Sequence, residues 1–173
     1  GKYYLQCPTV VKVNLVGKKA PWVSAKDIIL YILQQLTVKG GVNKIIEYTG
    51  EGISSLSLTD RATICNMGAE LGATTSIFPT DKRTKEYLQQ QGRVEDYVEI
   101  KADEDAVYDQ ELTVDLSALV PMTAKPHSPD AVVPVKELEG MKINQVVIGS
   151  CTNSSFADMM KAAKILKGRK VAE

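Results

Sequence analysis

The feature that most constrains the fold is a switch of hydrophobic period that recurs along the first ninety residues. Val10–Val16 partly alternates apolar and polar residues and is rich in β-branched types, which is the pattern of a strand. Gly17 to Pro21 turns the chain, and after Ser24 the period lengthens. Ile28, Ile29, Ile32, Leu33 and Leu36 then recur at helical spacing and supply one apolar face. Ser24 is placed to cap that helix, with Asp27 in the capping-box position and Gly40–Gly41 as its stop. A second strand is expected over Asn43–Thr49, followed by the turn Gly50-Glu-Gly52. The next helix runs from Leu58 to Leu71, opened by Ser57 or Thr59 and closed by Gly72. Ala73–Pro79 reads as extended, and Asp81 begins a charged helix that ends near Gln91–Gly92. Strand and helix in alternation predict an α/β sandwich of two or three layers.

Beyond Gly92 the rhythm changes. Val94–Asp109 is acidic, and Glu111–Leu116 is another alternating strand. Pro121, Pro126, Pro129 and Pro134 then punctuate a stretch too rich in proline for a regular helix or a central strand. Gln145-Val-Val-Ile-Gly149 reads as a buried strand, and Ser154 or Ser155 caps a helix that runs to Lys167–Gly168. The expected organisation is an α/β domain over residues 1–120 and a proline-rich connection over 121–144. A partial second α/β unit then occupies 145–173.

Lys+Arg and Asp+Glu balance at 21 each, so charge offers no footprint for nucleic acid or an anionic membrane surface. No apolar run approaches the roughly 20 residues of a membrane-spanning helix. The three cysteines, Cys7, Cys65 and Cys151, are odd in number and widely spaced. That spacing is expected of a reducing compartment such as the cytoplasm.

Two segments carry candidate chemistry. In Gly149-Ser-Cys151-Thr-Asn153-Ser154 a cysteine sits between an apolar run and a helix start, where backbone N–H groups favour a thiolate or a bound anion. Taken alone, such a cysteine is more often a small buried hydrophobe. In Arg61-Ala-Thr-Ile-Cys65-Asn66-Met67-Gly-Ala-Glu70, Asn66 and Glu70 are four apart and share one face of the expected helix. On spacing alone, a solvent-exposed Glu70 is the plainer reading. The single histidine, His127, lies in the proline-rich stretch without a partner at metal-ligand spacing. Walker A, dinucleotide-binding and paired Cys-x-x-Cys patterns do not occur.

These two segments closely resemble signatures of the aconitase superfamily. Gly149–Ser154 with Asp158-Met and Ala162–Val171 is similar to its first cluster-cysteine motif, and Arg61–Pro79 to a signature of the preceding domain. Val23–Leu30 and Glu47–Gly52 are also similar, in the family's order. The resemblance implies a hydro-lyase with a [4Fe-4S] cluster held by three cysteines, and a tricarboxylic acid as substrate. It implies Cys151 as the first cluster ligand and Asn153 as a donor near the cluster sulfurs. Asn66 and Glu70 would face the cluster and its bound hydroxyl or water, and Cys65 is not a ligand in that pattern.

The wording of Thr63–Ser76 resembles the aconitate hydratase branch, which interconverts citrate and isocitrate, more than the 3-isopropylmalate dehydratase and homoaconitase branches. A non-catalytic binding module of the same fold is the reading from a different class. The family's Cys-x-x-Cys is expected after Glu173 and its Asp-Ser-His segment before Gly1. The resemblance therefore implies an internal fragment, covering the second domain and the start of the third. Such a fragment relies on the remaining domains of the same enzyme, and alone is expected to lack both a stable cluster and dehydratase activity.

Overall fold

The computed structural model describes residues 1–170. It divides into two compact units, Gly1–Glu139 and Gly140–Glu173.

The first unit is built on a parallel sheet. Strand β1 (Thr9–Val16), helix α1 (Ala25–Leu36), strand β2 (Lys44–Thr49), helix α2 (Leu58–Met67) and strand β3 (Thr75–Ile77) follow in the expected alternation. Helix α3 (Lys82–Gln90) and strand β4 (Gln110–Asp115) complete it, and the strands lie in the order β3-β2-β1-β4, all parallel. The period-2 pattern explains the faces. Val11, Val13, Leu15, Ile46 and Tyr48 point to one side and are fully buried. They pack with Ile28, Ile29, Ile32 and Leu33 of α1 and with Ile64 of α2.

On the other side Glu47, Lys12 and Glu111 lie abreast across three strands. Two successive right-handed crossovers that march in one direction place α1 and α2 on the same face. The return from β3 to β4 runs in the opposite direction, so a right-handed return crosses the other face. Tyr108 is found there: its hydroxyl donates to Glu47 Oε1 at 3.0 Å, and the Lys12 ammonium lies 5.1 Å from its ring centre. No helix forms in that return after Gln90 beyond a single 3-10 turn at Val94–Asp96, so the sandwich is the two-layer form.

Several boundaries differ from expectation for physical reasons. Helix α1 stops at Leu36, with Thr37 at φ 65°, before reaching Gly40–Gly41. The next amide, of Val38, is captured by Asp130 at 3.2 Å. The proline-rich stretch contains a short antiparallel hairpin, β5 (Met122–Ala124) and β6 (Val132–Pro134), with Pro134 at a strand end where no ladder donor is lost. This hairpin docks on α1. Asp27 is buried and accepts from Ser24 N at 2.6 Å and from Met122 N at 2.6 Å, while Gln34 Nε2 donates to the Val132 carbonyl at 2.8 Å. Residues 121–139, expected as connection, thus belong to the first unit.

In the second unit the expected buried strand Gln145–Gly149 does not form. Residues 145–149 are irregular, and Val146 and Val147 are 71% and 82% exposed. A strand exists only through pairing, and among the described residues none pairs with this segment. A one-turn helix α4 (Ser150–Asn153) follows, then helix α5 (Phe156–Leu166). Of the two serines expected to cap α5, Ser155 does so, accepting from Asp158 N at 3.2 Å.

Candidate functional site

Helix α2 starts in a capping box. Ser57 Oγ accepts from Asp60 N at 3.1 Å, and Asp60 accepts from Ser57 N at 3.0 Å and from the Lys19 ammonium at 3.0 Å. Burial is the largest influence on the Asp60 carboxyl and pushes its pKa up. The hydrogen bonds from Ser57 and Lys19 and the Lys19 charge together outweigh it and hold the group below the usual carboxylate range.

The buried side of α2 carries Arg61, Ile64 and Met67. Arg61 is 3% exposed and pairs with Asp81, the cap of α3. It also donates to the carbonyls of Ile53 and Pro79 and lies over the Phe78 ring, 5.9 Å from its centre. This guanidinium ties together the loops that follow β2 and β3. The quoted signature begins with Arg61 but implied no task for it. Its place three residues before Ile64 and six before Met67, on an apolar helix face, is the signal that a buried charge needs a partner. Gly50 enables the same loop to approach. With φ 95° it passes so close to β1 that a Cβ would lie 2.3 Å from the Leu15 carbonyl oxygen.

Asn66 and Glu70 are both exposed. They do not share a continuous α-helix: after Met67 the chain tightens into a 3-10 turn over Gly68–Leu71, closed by Gly72 at φ 73°. Three residues per turn in place of 3.6 carries Glu70 roughly 40–60° further round than the α-helical spacing from Asn66 would. The turn is fastened to the amino-terminal end of the sheet, where Gly41 N donates to the Leu71 carbonyl at 2.9 Å and Thr74 N to the Lys44 carbonyl at 2.8 Å. Cys65 is half-buried, with its thiol 3.8 Å from the Ser76 carbonyl, and burial pushes its pKa up.

Cys151 and Asn153 lie together on α4 in the second unit, Cys151 exposed and Asn153 half-buried. Asn153 borders a groove of about 770 Å³ formed by Ile143, Val146 and Ile148 against Ala162 and Ile165 of α5. The four predicted site residues therefore form two pairs, one on each unit. Among the described residues no three Cys, His, Asp or Glu side chains converge as metal ligands.

A sequence model described as the aconitase family (aconitate hydratase) matches residues 1–139 and 135–173. The chain belongs to the aconitase family. It is 44% identical over 173 residues to 3-isopropylmalate dehydratase large subunit 2 of Archaeoglobus fulgidus, covering 100% of this chain and 42% of that protein. Against the 3-isopropylmalate dehydratase large subunit of Caldicellulosiruptor bescii it is 48% identical over 172 residues, 99% of this chain and 40% of the other. Mitochondrial aconitate hydratase of Schizosaccharomyces pombe is 48% identical over 176 residues, covering 93% of this chain and 22% of that protein. The chain thus spans about two fifths of the family's large subunits and less of the hydratase. These aconitase-family relatives are dehydratases and a hydratase, enzymes that remove or add water.

Proposed function

We propose that the chain is part of a hydro-lyase of the 3-isopropylmalate dehydratase type, acting on a hydroxy acid that carries several carboxylates. The observation that carries this is alignment over 99–100% of the chain, at 44–48% identity, to dehydratase large subunits. The aconitate hydratase of equal identity covers 93% of it. Citrate, expected from the wording of Thr63–Ser76, is the less supported substrate.

Within that reading the exposed Asn66 amide and Glu70 carboxylate contact the substrate hydroxyl or the water it becomes. An amide that both donates and accepts, beside a carboxylate that accepts, suits a group that is a hydroxyl in one state and water in the other. Cys151 would supply one thiolate to the family's cluster, and Asn153 would be a hydrogen-bond donor near it. A four-iron cluster needs several thiolates, and the described residues bring no set of ligands together. They do not by themselves fit that group, so the chemistry assigned to this chain is binding and orientation. The remaining domains of the same enzyme are its partners. Cysteine usage supports a cytoplasmic setting.

The test is dehydration by the full enzyme containing this chain, followed by absorbance of the unsaturated product. The expected kcat/KM for 3-isopropylmalate exceeds that for citrate by about tenfold or more, a difference of about 1.4 kcal/mol in transition-state binding. The reverse preference overturns the substrate, and wild-type kcat in Glu70→Gln overturns the site.

A further inference from the structure

We infer that Gly68 and Ser76 form a seat that sets where Glu70 points, which makes both positioning residues for that carboxylate. The inference rests on the reading of Glu70 given above.

Gly68 is buried at the junction where α2 becomes the 3-10 turn. Its backbone, at φ −57° and ψ −25°, is ordinary right-handed helix. Any residue adopts that conformation, so flexibility is not what calls for glycine here. Space is. A Cβ on Gly68 would lie 2.5 Å from Ser76 Oγ and 3.7 Å from Ser76 Cβ, with no other atom beyond its chain neighbours and its own helix backbone within 4 Å. As the hydroxyl stands, one oxygen atom occupies the place a side chain would need at this position. That oxygen is itself unusual: among the described residues the Ser76 hydroxyl is buried and has no hydrogen-bond partner. Left unpaired, such a group costs stability, yet here it fills the space that a Cβ at Gly68 would take.

The turn is thereby held at two places. Gly68 rests on Ser76 of β3, and the Leu71 carbonyl accepts from Gly41 N at 2.9 Å. Glu70 lies between these two fastenings, two residues past one and one before the other. With the Ser76 hydroxyl held where it is, restoring an ordinary 3.4 Å contact from 2.5 Å lifts the turn by about an ångström at Gly68. A displacement of that size in a group aligned for reaction costs up to about a hundredfold in rate.

The experiment is a pair of variants, Gly68→Ala and Gly68→Ala with Ser76→Ala, with Ser76→Ala as the baseline of the double. Removing the hydroxyl leaves only the 3.7 Å contact with Cβ, so the second substitution makes room for the first. The first readout is the Glu70 backbone amide resonance in the 173-residue chain. The second is kcat and KM in the full enzyme. Gly68→Ala is expected to move the Glu70 amide and to lower kcat about 10- to 100-fold, with KM within about twofold. The double variant is expected to return both toward the baseline.

A Glu70 amide and kcat unmoved by Gly68→Ala overturn the seat, because the hydroxyl then simply turns aside. A double variant as impaired as the single also overturns it, since the loss then comes from the helix and not from Ser76. An amide that moves and recovers while Glu70→Gln keeps wild-type kcat upholds the seat and overturns the role of Glu70.

Discussion

In the first unit the apolar residues bury one another: Val11, Val13 and Leu15 of β1, Ile28 and Leu33 of α1 and Ile64 of α2 are fully enclosed. In the second unit none of the described residues is buried, and Val147 and Phe156 are each 82% exposed. Both units carry the same kind of sequence, an apolar run beside an amphipathic helix. The difference is that β1 has a strand on each side and a helical layer packed over it, whereas Val146–Ile148 pairs with no strand among the described residues and faces α5 only across an open groove. Patterning says which face of an element wants covering, and the cover has to be supplied by other elements.

The largest effects that test this contrast lie in the first unit. Arg61→Ala removes the partner of Asp81 and the donor to two loop carbonyls, and is expected to destabilise by about 3–5 kcal/mol in urea unfolding. Leu33→Ala opens a cavity in the enclosed core and is expected to cost about 2–5 kcal/mol. Val147→Ser, the matched change in the second unit, should stay within about 0.5 kcal/mol. A cost for Val147→Ser as large as that of Leu33→Ala would erase the contrast.

The same contrast explains what was legible in the sequence. The strand–helix rhythm through α3 was readable because β1, α1 and β2 each carry a local hydrophobic period, although the stop of α1 at Leu36 was not. Asp81 was placed as a helix start, and Ser57 was one of two candidates, because a cap is a local matter of one side chain and one amide. Three things were not local. The failure of Gln145–Gly149 to become a strand reflects the lack of a pairing strand among the described residues. The hairpin on α1 depends on Asp27 and Gln34 capturing backbone ninety-five and more residues away. The 3-10 turn after Met67 is fastened by Gly41, whose N–H donates to the Leu71 carbonyl from thirty residues away. For the candidate site, Asn66, Glu70, Cys151 and Asn153 were identifiable as motif residues, but their angular relation was not, because it is set after Met67 by contacts outside the helix.

Intermediate effects come from the caps. Ser57→Ala and Ser155→Ala remove equivalent bonds to the amides of Asp60 and Asp158, each expected to cost about 1 kcal/mol. In the first unit that cost should appear in the global unfolding midpoint. In the second it should appear as faster amide exchange within α5, with the midpoint unmoved; a shared midpoint shift would join the two units into one folding unit.

Acid supplies a gentler probe of the first unit. At Asp81, burial is the largest influence and pushes the carboxyl up, but the bonds from Arg61 and Thr84 and the Arg61 charge hold it below its ordinary value. Asp60 is lowered likewise. A depressed carboxylate lends stability that is complete above its unfolded pKa of about 3.9 and is lost as pH falls through the lower folded value. Melting temperature should therefore fall below about pH 4, less steeply in Asp81→Asn. An identical slope in that variant removes Asp81 from the account. The smallest effect is chemical: the half-buried Cys65 thiol, pushed up by burial, should alkylate more slowly at pH 8 than the exposed Cys151, as peptide mapping would show.

The strand order carries a consequence for how this chain is made. Strand β1 lies between β2 and β4, and its residue Val11 meets Gln110, so the sheet closes across 99 positions of sequence. During synthesis β1 and β2 can pair early, while the other edge of β1 waits unpaired until β4 has left the ribosome. Loop closure over that distance slows folding, and an unpaired strand edge recruits other chains. Productive folding of the first unit is therefore a race between arrival of β4 and capture of β1 by a neighbour, and a pause in translation before Gln110 is where that race would be lost.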